Sequence, residues 1–417
     1  MQERQIVILS GNHLCHNPRV IKEATTLANA GYKVQVLGNW FDRSLKARDC
    51  ELIPSLPFTF RAVVDTTGSA LQKLPARLSN KSASLVHRFL GLESERQLSS
   101  TISALFRTAQ SLPSDVFVAH SELAMCVADR LQRQGRSIGV DLEDWFSEDL
   151  LPEARKSRPV RLLHQLENNI LSSGNYATCP SRAMSNALSK EFGCQPPAVV
   201  YNAFPWSDRA QLDGQAKDRQ NRVLPSIHWF SQTLGPGRGL EDLIAALPLL
   251  KHPAELHLRG NPTTGFDEWI KQRVGTKLAP YIFIHKLVPN SELLSRIAEH
   301  DIGFAGETSS IRSRDLTITN KILYYLLAGS AVVASDTLGQ REVAELAPGA
   351  VSLYPCGEAQ ALALAIDSLL ANPDGLRRAK AAALHAAQHT FCWERQETAL
   401  LDNVANYLRS LPTNGKN

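Results

Sequence analysis

Residues 6–37 read IVILSGNHLCHNPRVIKEATTLANAGYKVQVL, and this stretch indicates the fold of the chain. Residues 6–9 form a short apolar run that is typical of a buried strand. Apolar side chains then recur at helical spacing over residues 19–30, and Gly31 favours a helix end. A second apolar run follows at residues 34–37. A strand, a helix and a second strand in this order predict a βαβ unit, whose two strands lie parallel in one sheet.

The same alternation continues along nearly the whole chain, in two series. The first series adds predicted strands at residues 116–119, 138–141, 176–178 and 199–201, with helices from Glu122 and Arg182. The second series adds strands at residues 226–230, 255–258, 281–284, 302–304 and 332–334, with helices from about residues 240 and 291 and at 320–328. We therefore predict an α/β protein with two Rossmann-like, parallel-sheet domains.

A polar tract, AQLDGQAKDRQNR at residues 210–222, separates the two series and has the composition of a linker. We accordingly predict four segments, namely an amino-terminal domain at 1–205, a linker at 206–222, a second domain at 223–390, and a C-terminal helix and tail at 391–417. Residues 358–411 are rich in Ala and Leu and show helical periodicity, with Pro373 separating two predicted helices.

The composition excludes several classes of protein. The sequence has 45 Lys and Arg against 41 Asp and Glu, and the net charge of +4 is too small to predict nucleic acid as the main partner. The 7 Cys include no C-x-x-C pair, which argues against a disulfide framework or a zinc site. No apolar run reaches the roughly 18 residues that a transmembrane helix requires. We expect a cytoplasmic protein, at most peripheral on the inner face of the membrane.

Residues 66–108 depart from the α/β alternation. Their pattern is helical, and basic side chains outnumber acidic ones. Two interpretations stay open for this segment. It is either a solvated helical insertion over the first sheet or an amphipathic segment that lies on anionic lipid.

Candidate functional residues lie in the loops that follow predicted strands, where open α/β sheets bind ligands. Motifs with other chemistry, such as a P-loop, H-E-x-x-H, G-x-S-x-G or a metal-binding D-x-D pair, are missing from the sequence. In the first domain, Gly11 permits a tight turn, and Arg19 lies near a helix start that favours anions. His120 follows the strand at 116–119. A structural salt bridge is the alternative for Arg19, and a structural role is the alternative for His120.

An acidic cluster, formed by Asp141, Glu143 and Asp144, ends another predicted strand of the first domain. These carboxylates could hold a metal, but capping and loop contacts are the simpler interpretation. We predict no metal site in the chain.

Two loops of the second domain have the residues of an anion site. The segment GPGRG at 235–239 contains Gly237, which allows a close backbone approach, and Arg238, which adds a fixed positive charge. The segment TITNK at 317–321 opens a helix. There Thr319 or Asn320 can cap the first turn, while Lys321 adds charge to the free amide groups. Arg238 and Lys321 are predicted to converge on one diphosphate, and ordinary strand–helix turns are the alternative for both loops.

The sequence resembles the retaining glycosyltransferases with the GT-B fold, in particular the glycogen-synthase-like family often called family 4. Eight segments carry the resemblance, in the family's order: HNPRVIKEATTLANAGYKVQVL, SDVFVAHSE, GVDLEDWFSE, YATCPSRAMSNALSKEFG, VVYNAFP, WFSQTLGPGRGLEDLIAAL, VPNSELLSRIAEHDIGFA and NKILYYLLAGSAVVASDTLGQREV. The resemblance implies two Rossmann-like domains that face each other across a cleft. It further implies that the second domain binds a nucleotide-diphosphate sugar, that the first domain holds the acceptor, and that no metal or other cofactor is needed.

The resemblance also assigns roles to individual residues. Arg238 matches the basic residue that binds phosphate in the first loop of the family's second domain, and Lys321 falls in the segment that faces the diphosphate. His120 matches a His that points toward the transferred sugar in many members.

The chain departs from the family at a pair of Glu residues, whose positions are occupied here by Leu316 and Tyr324. Tyr324 would have to bind the nucleotide ribose through its hydroxyl or by stacking. Glu307 or Asp315 could supply the missing carboxylate to the sugar.

We therefore expect an enzyme that transfers a hexose-type sugar, with retention, to a surface polysaccharide or glycolipid. One alternative is a nucleotide-sugar 2-epimerase of the same fold. The other is a non-catalytic protein that keeps the fold, which the missing Glu pair favours.

Overall fold

The computed structural model describes residues 4–68, 91–174, 176–220, 222–237 and 239–411. Its contacts divide the chain into two compact units. The first comprises Met1–Pro180, Met184–Val200 and Glu397–Asn417, and the second comprises Ser181–Ala183 and Tyr201–Gln396.

The first unit is built on a seven-stranded parallel sheet with the strand order β3-β2-β1-β4-β5-β6-β7. The strands are β1 (Gln5–Leu9), β2 (Lys33–Trp40), β3 (Thr59–Asp65), β4 (Val116–Ala119), β5 (Ile138–Asp141), β6 (Tyr176–Cys179) and β7 (Ala198–Val199). The α-helices are Pro18–Asn29, Arg43–Leu52, Ile102–Gln110, Glu122–Gln132, Pro152–Arg155, Val160–Leu171, Arg182–Phe192 and Trp393–Ser410, of which the last two begin in the second unit. All four residues of β4 are buried, because helices cover both faces of a parallel sheet.

The second unit is built on a six-stranded parallel sheet with the order β10-β9-β8-β11-β12-β13. The strands are β8 (Ser226–Leu234), β9 (Glu255–Pro262), β10 (Ile282–His285), β11 (Ile302–Ala305), β12 (Ala331–Ser335) and β13 (Val351–Tyr354). The α-helices are Leu240–Ala246, Phe266–Leu278, Asn290–Ala298, Arg312–Leu316, Asn320–Ala328, Leu338–Leu346, Ala359–Leu370 and Pro373–His389.

The predicted fold class is confirmed, since both units have the parallel α/β architecture. Two strands were not predicted, β3 and β13, because both are edge strands whose residues are mostly only partly buried. As predicted, Pro373 separates two helices, Ala359–Leu370 and Pro373–His389, and a third helix, Trp393–Ser410, lies in the segment predicted as C-terminal helix and tail. Of the basic segment 66–108, residues 102–108 lie in the helix Ile102–Gln110, and residues 69–90 lie outside the described residues.

The boundaries between the units differ from the predicted ones. Residues 206–220 are part of the second unit. There Asp213 pairs with Arg296 at 2.6 Å, and the backbone N–H of Asp218 donates to Glu299 at 2.7 Å. The charges of this tract are therefore paired within a folded unit. Residues 397–410 belong to the first unit, where the Tyr407 hydroxyl donates to the Ile138 carbonyl at 3.0 Å.

Within the described parts of the chain, none of the helices combines the length and the apolar character needed to cross a bilayer.

Candidate functional site

Two loops of the second unit meet at the carboxyl end of its sheet. Strands β8 and β11 are parallel neighbours, and the glycine-rich loop at 235–239 follows β8, while Gly306 follows β11. A Cβ on Gly239 would lie 2.5 Å from the Gly306 carbonyl oxygen, and Gly239 has a φ of +77°. Only glycine fits this close approach of two backbones. The loop that contains Arg238 is therefore packed directly against the residue that precedes Glu307, although Arg238 itself lies outside the described residues.

Lys321 and Glu307 form an ion pair beside these loops. The Lys321 Nζ lies 3.0 Å from the Glu307 Oε1, with 19% and 9% of the two side chains exposed. The same ammonium group lies 5.8 Å from the ring centroid of Trp229, which is buried in β8. Lys321 was predicted to bind the leaving group, and Glu307 was predicted to bind the sugar. The two residues are thus neighbours.

The helix Asn320–Ala328 directs its amino-terminal end into the same region. Thr319 is the N-cap residue, with extended backbone angles of −78° and 151°. Among the described residues no side chain caps this helix, and the buried Thr319 Oγ1 has no hydrogen-bond partner. Asn320 is exposed at the first helical position. Free amide groups at a helix start, beside Lys321, can bind an anion.

Two buried residues that were not predicted from the sequence, Ser335 and Gln340, fix the backbone at Glu307. The Glu307 backbone N–H donates to the Ser335 Oγ at 2.7 Å. The Gln340 Nε2 donates to the same oxygen at 2.8 Å and to the Ser335 carbonyl at 3.2 Å. A sequence signal for Ser335 existed, because it ends β12, the strand beside β11. No comparable signal marks Gln340.

Two of the proposed donor-site residues have partners of their own. Tyr324 stacks on Phe204 with ring centroids 3.7 Å apart, and it meets Phe230 edge-on at 5.8 Å. Burial raises the pKa of Tyr324 to about 12, so that its phenol is neutral and able to donate a hydrogen bond. Gly237 has a φ of +80°, and its N–H donates to the Glu241 carboxylate.

In the first unit, Arg19 is a buried structural residue. Its guanidinium binds both oxygens of Asp141, at 2.5 and 2.7 Å, and donates to the Val200 carbonyl at 2.9 Å. Burial alone would raise the pKa of Asp141, but Arg19 and the neighbouring His120 hold it well below its usual range. The salt-bridge interpretation of Arg19 is therefore the one that the structure shows.

Both ring nitrogens of His120 face buried carboxylates. Nε2 lies 3.0 Å from Glu23 Oε2, and Nδ1 lies 3.2 Å from Asp141 Oδ2. Burial opposes protonation, but Glu23 and Asp141 outweigh it and raise the pKa of His120 well above its ordinary value. His120 is thus an imidazolium between two anions, and sequence reasoning did not anticipate Glu23.

The three side chains Glu23, His120 and Asp141 are close enough to be considered as metal ligands. Arg19 already binds both oxygens of Asp141, however, and a second cation beside a guanidinium is electrostatically unfavourable. The cluster fits internal charge pairing better than it fits a metal ion.

The loop at 10–19 is fixed by contacts that were not predicted. Gly11 has a φ of +68°, and a Cβ on it would collide with Leu123 at 2.2 Å. Asp49 accepts hydrogen bonds from the backbone N–H groups of Leu14 and Cys15, at 3.2 and 2.7 Å, and lies 3.1 Å from the Nδ1 of His13. These contacts hold the loop in place from within the first unit.

Comparisons with known proteins agree with this architecture. Residues 225–372 match the family described as "Glycosyl transferases group 1". None of the curated proteins compared with the sequence matches it.

Solved structures match nearly the whole chain at low sequence identity. Sucrose-phosphate synthase from Thermosynechococcus elongatus has a TM-score of 0.70 at 15% identity, covering 98% of this chain and 100% of its own. Anabaena HepE in complex with UDP has a TM-score of 0.69 at 16% identity, covering 96% and 100%. A UDP-forming trehalose-phosphate synthase from Burkholderia xenovorans has a TM-score of 0.67 at 14% identity, covering 99% and 100%.

At these identities the structural matches establish the fold, and the family match adds the kind of enzyme. Residues 225–372 carry a glycosyl transferases group 1 domain within a two-sheet GT-B fold, and the protein is an enzyme of the glycosyltransferase class.

Proposed function

We propose that the enzyme transfers a sugar, with retention of configuration, from a nucleotide-diphosphate sugar to a hydroxyl group of a polysaccharide or glycolipid. One observation supports a nucleotide-diphosphate sugar as the donor. Lys321, the start of its helix and the glycine-rich loop meet at the carboxyl end of one sheet. This arrangement suits a diphosphate, and it lies within the segment 225–372. Structures of Anabaena HepE with UDP and with UDP-glucose have the same fold and support the choice of ligand class.

The proposed reaction needs charge stabilisation more than a protein nucleophile. The bond between the sugar C1 and the diphosphate oxygen breaks, and C1 bonds to the acceptor oxygen. The acceptor proton passes to a phosphate oxygen of the departing nucleoside diphosphate. Negative charge grows on that diphosphate, where Lys321, Arg238 and the helix amides are proposed to stabilise it. Glu307 is proposed to bind a hydroxyl of the transferred sugar.

The acceptor assignment rests on the family resemblance. A lipid-linked acceptor would bring the enzyme to a membrane, and segment 66–108 is the proposed point of contact. Flotation with anionic vesicles, comparing the full chain with a variant whose basic residues in 91–108 are neutralised, measures this contact. Equal flotation of both proteins would contradict a role for that part of the segment.

A thermal-shift screen over UDP, ADP, GDP and CDP tests the donor class. A ligand that binds only the folded protein at 100 times its Kd stabilises it by about 2.7 kcal/mol. We expect at least one of these nucleotides to raise the Tm of the wild type. The same nucleotide should fail with Lys321→Met and with Arg238→Met, while the exposed control Lys271→Met should respond like the wild type. No response to any of the four would contradict the proposal.

Incubation with labelled nucleotide sugar in the absence of acceptor separates this reaction from epimerisation. We expect the donor to stay unchanged. Accumulation of an epimerised donor would support the 2-epimerase alternative instead.

A further inference from the structure

Lys321 already has an anionic partner in the site where a diphosphate is proposed to bind. The Glu307 carboxylate lies 3.0 Å from the ammonium group, and both side chains are largely withdrawn from water. Within the described residues, this is the one acidic side chain in salt-bridge distance of Lys321. An ion pair shielded in this way is stronger than one on the open surface.

A bound diphosphate and Glu307 would compete for the same ammonium group. Lysine offers one positive charge, and a carboxylate beside a diphosphate is repelled by it. The Glu307 backbone cannot withdraw easily, because its N–H is bonded to the Ser335 Oγ at 2.7 Å. The preceding Gly306 is also packed against Gly239, with a Cβ on Gly306 lying 2.9 Å from the Gly239 carbonyl oxygen. Displacement of the carboxylate therefore requires the Glu307 side chain to rotate away from Lys321.

We infer that Glu307 is a built-in counterion of Lys321, which the donor diphosphate displaces when it binds. Gln340 and Ser335 act as positioning residues, since they fix the backbone from which the carboxylate reaches Lys321. The inference rests on the proposed function. It adds that Glu307 competes with the donor diphosphate for Lys321 and thereby lowers the affinity for the donor. After displacement, the carboxylate remains on its fixed backbone next to the diphosphate, within reach of a sugar attached there.

Calorimetric titration of four proteins at low salt tests the competition, with UDP and inorganic pyrophosphate as probes. The proteins are the wild type, Glu307→Gln, Lys321→Met and the double variant. We expect Glu307→Gln to bind both probes roughly three- to tenfold more tightly than the wild type, because the competing charge is gone. The gain should vanish in the Lys321→Met background. Glu268→Gln, which removes an exposed acidic group of the same unit, should bind like the wild type.

Turnover gives an independent readout. Glu307→Gln should lower kcat and tighten nucleotide binding. Substitution of a purely structural residue would not change these two quantities in opposite senses. Glu307→Asp keeps the charge and should bind both probes more nearly like the wild type. This second variant also controls for folding, which circular dichroism checks in each protein.

The two proposals fail in different ways. Suppose that the wild type binds UDP through Lys321, but that folded Glu307→Gln binds it no more tightly. This result would overturn the counterion role of Glu307 and leave the proposed function standing. A gain of equal size in the Lys321→Met background would also overturn it. A wild type that binds none of the nucleoside diphosphates would overturn both.

Discussion

At the scale of single residues, glycine at position 239 decides whether the two loops of the proposed donor site can meet. The positive φ and the 2.5 Å approach to the Gly306 carbonyl oxygen leave no room for a side chain. The sequence predicted the glycine-rich loop and its position after a strand. It could not predict the partner, because Gly306 is 67 positions away and no pattern marks backbone contacts over that distance.

Gly239→Ala should displace the glycine-rich loop from β11. Strain at positive φ and the clash with Gly306 together cost roughly 2–4 kcal/mol, part of which the loop relieves by moving. We expect a measurable loss of Tm and a loss of nucleoside diphosphate binding of at least tenfold. Gly265→Ala is a matched control, since Gly265 also has a positive φ of 80° but has open space around its Cβ position. Equal binding by both variants would contradict the role of the close approach.

Protonation of His120 should make the stability of the first unit depend on pH. Its pKa is raised in the folded state, so the stabilisation is complete below the unfolded pKa of about 6.5. Stability then falls as the pH rises toward the folded pKa, by about 1.4 kcal/mol per pH unit. The measurement is amide exchange of β4 between pH 6.5 and 8.5 in the wild type and His120→Gln. We expect this dependence of stability on pH in the wild type only. Equal slopes in the wild type and His120→Gln would contradict the pairing of a protonated His120 with Glu23 and Asp141.

At the scale of elements, continuous apolar runs made the central strands predictable. The predicted strand at residues 116–119 coincides with β4, whose residues are buried, and the predicted helix at 320–328 also coincides with the structure. Edge strand β3 was missed because partly exposed strands carry polar residues and lose the apolar signature. Residues 210–222 looked like a linker because hydrophilicity does not reveal partners. Asp218, for example, pairs with Arg259, which lies 41 positions away.

A cluster of four histidines makes the second unit sensitive to acid. His228 stacks on His300 at 4.5 Å, His257 lies 4.6 Å from His300, and the Nδ1 of His257 lies 2.9 Å from the Nε2 of His285. Burial, and then the neighbouring histidines, lower the pKa of His257 to about 2 and that of His228 well below its usual range. The pKa of His300 falls to about 4, chiefly by burial and against the opposing effect of Asp218.

We expect the second unit to unfold in acid before the first. Folded pKa values below the unfolded value of about 6.5 give stability that is present above that pH and is lost as the pH falls from 6.5 toward 4. Each histidine contributes up to about 1.4 kcal/mol per pH unit in this window. Amide exchange of β8 and β4, followed from pH 7 to 4.5, measures the two units separately.

His228→Phe serves as the matched variant, because both ring nitrogens of His228 are buried without hydrogen-bond partners among the described residues. It should shift the acid transition of β8 to lower pH. Loss of protection in β4 at a higher pH than in β8 would contradict this account.

At the scale of the whole molecule, each unit has its own sheet and its own buried charge chemistry. The first unit pairs Arg19 and His120 with buried carboxylates, and the second places Lys321 and Glu307 at the carboxyl end of its sheet. The sequence predicted the two-domain fold because the α/β alternation restarts. Loop position and residue type indicated the proposed anion-binding residues, and the family resemblance added their roles. The sequence could not predict that Lys321 and Glu307 pair with each other.

Transfer should not depend on a divalent cation if Lys321, Arg238 and helix amides carry the charge of the leaving group. We expect the initial rate of sugar transfer with excess EDTA to stay within twofold of the untreated rate. Loss of activity that added Mg²⁺ restores would show that a cation shares this task.

In the proposed function, residues at the carboxyl end of the second sheet bind the diphosphate. Hydrogen–deuterium exchange with and without saturating UDP, or the nucleotide selected by the thermal-shift screen, tests it most directly. We expect slower exchange at residues 235–241, 306–307 and 319–323, and we expect Lys321→Met to abolish this protection. Protection confined to other segments, or protection that survives intact in Lys321→Met, would contradict the account.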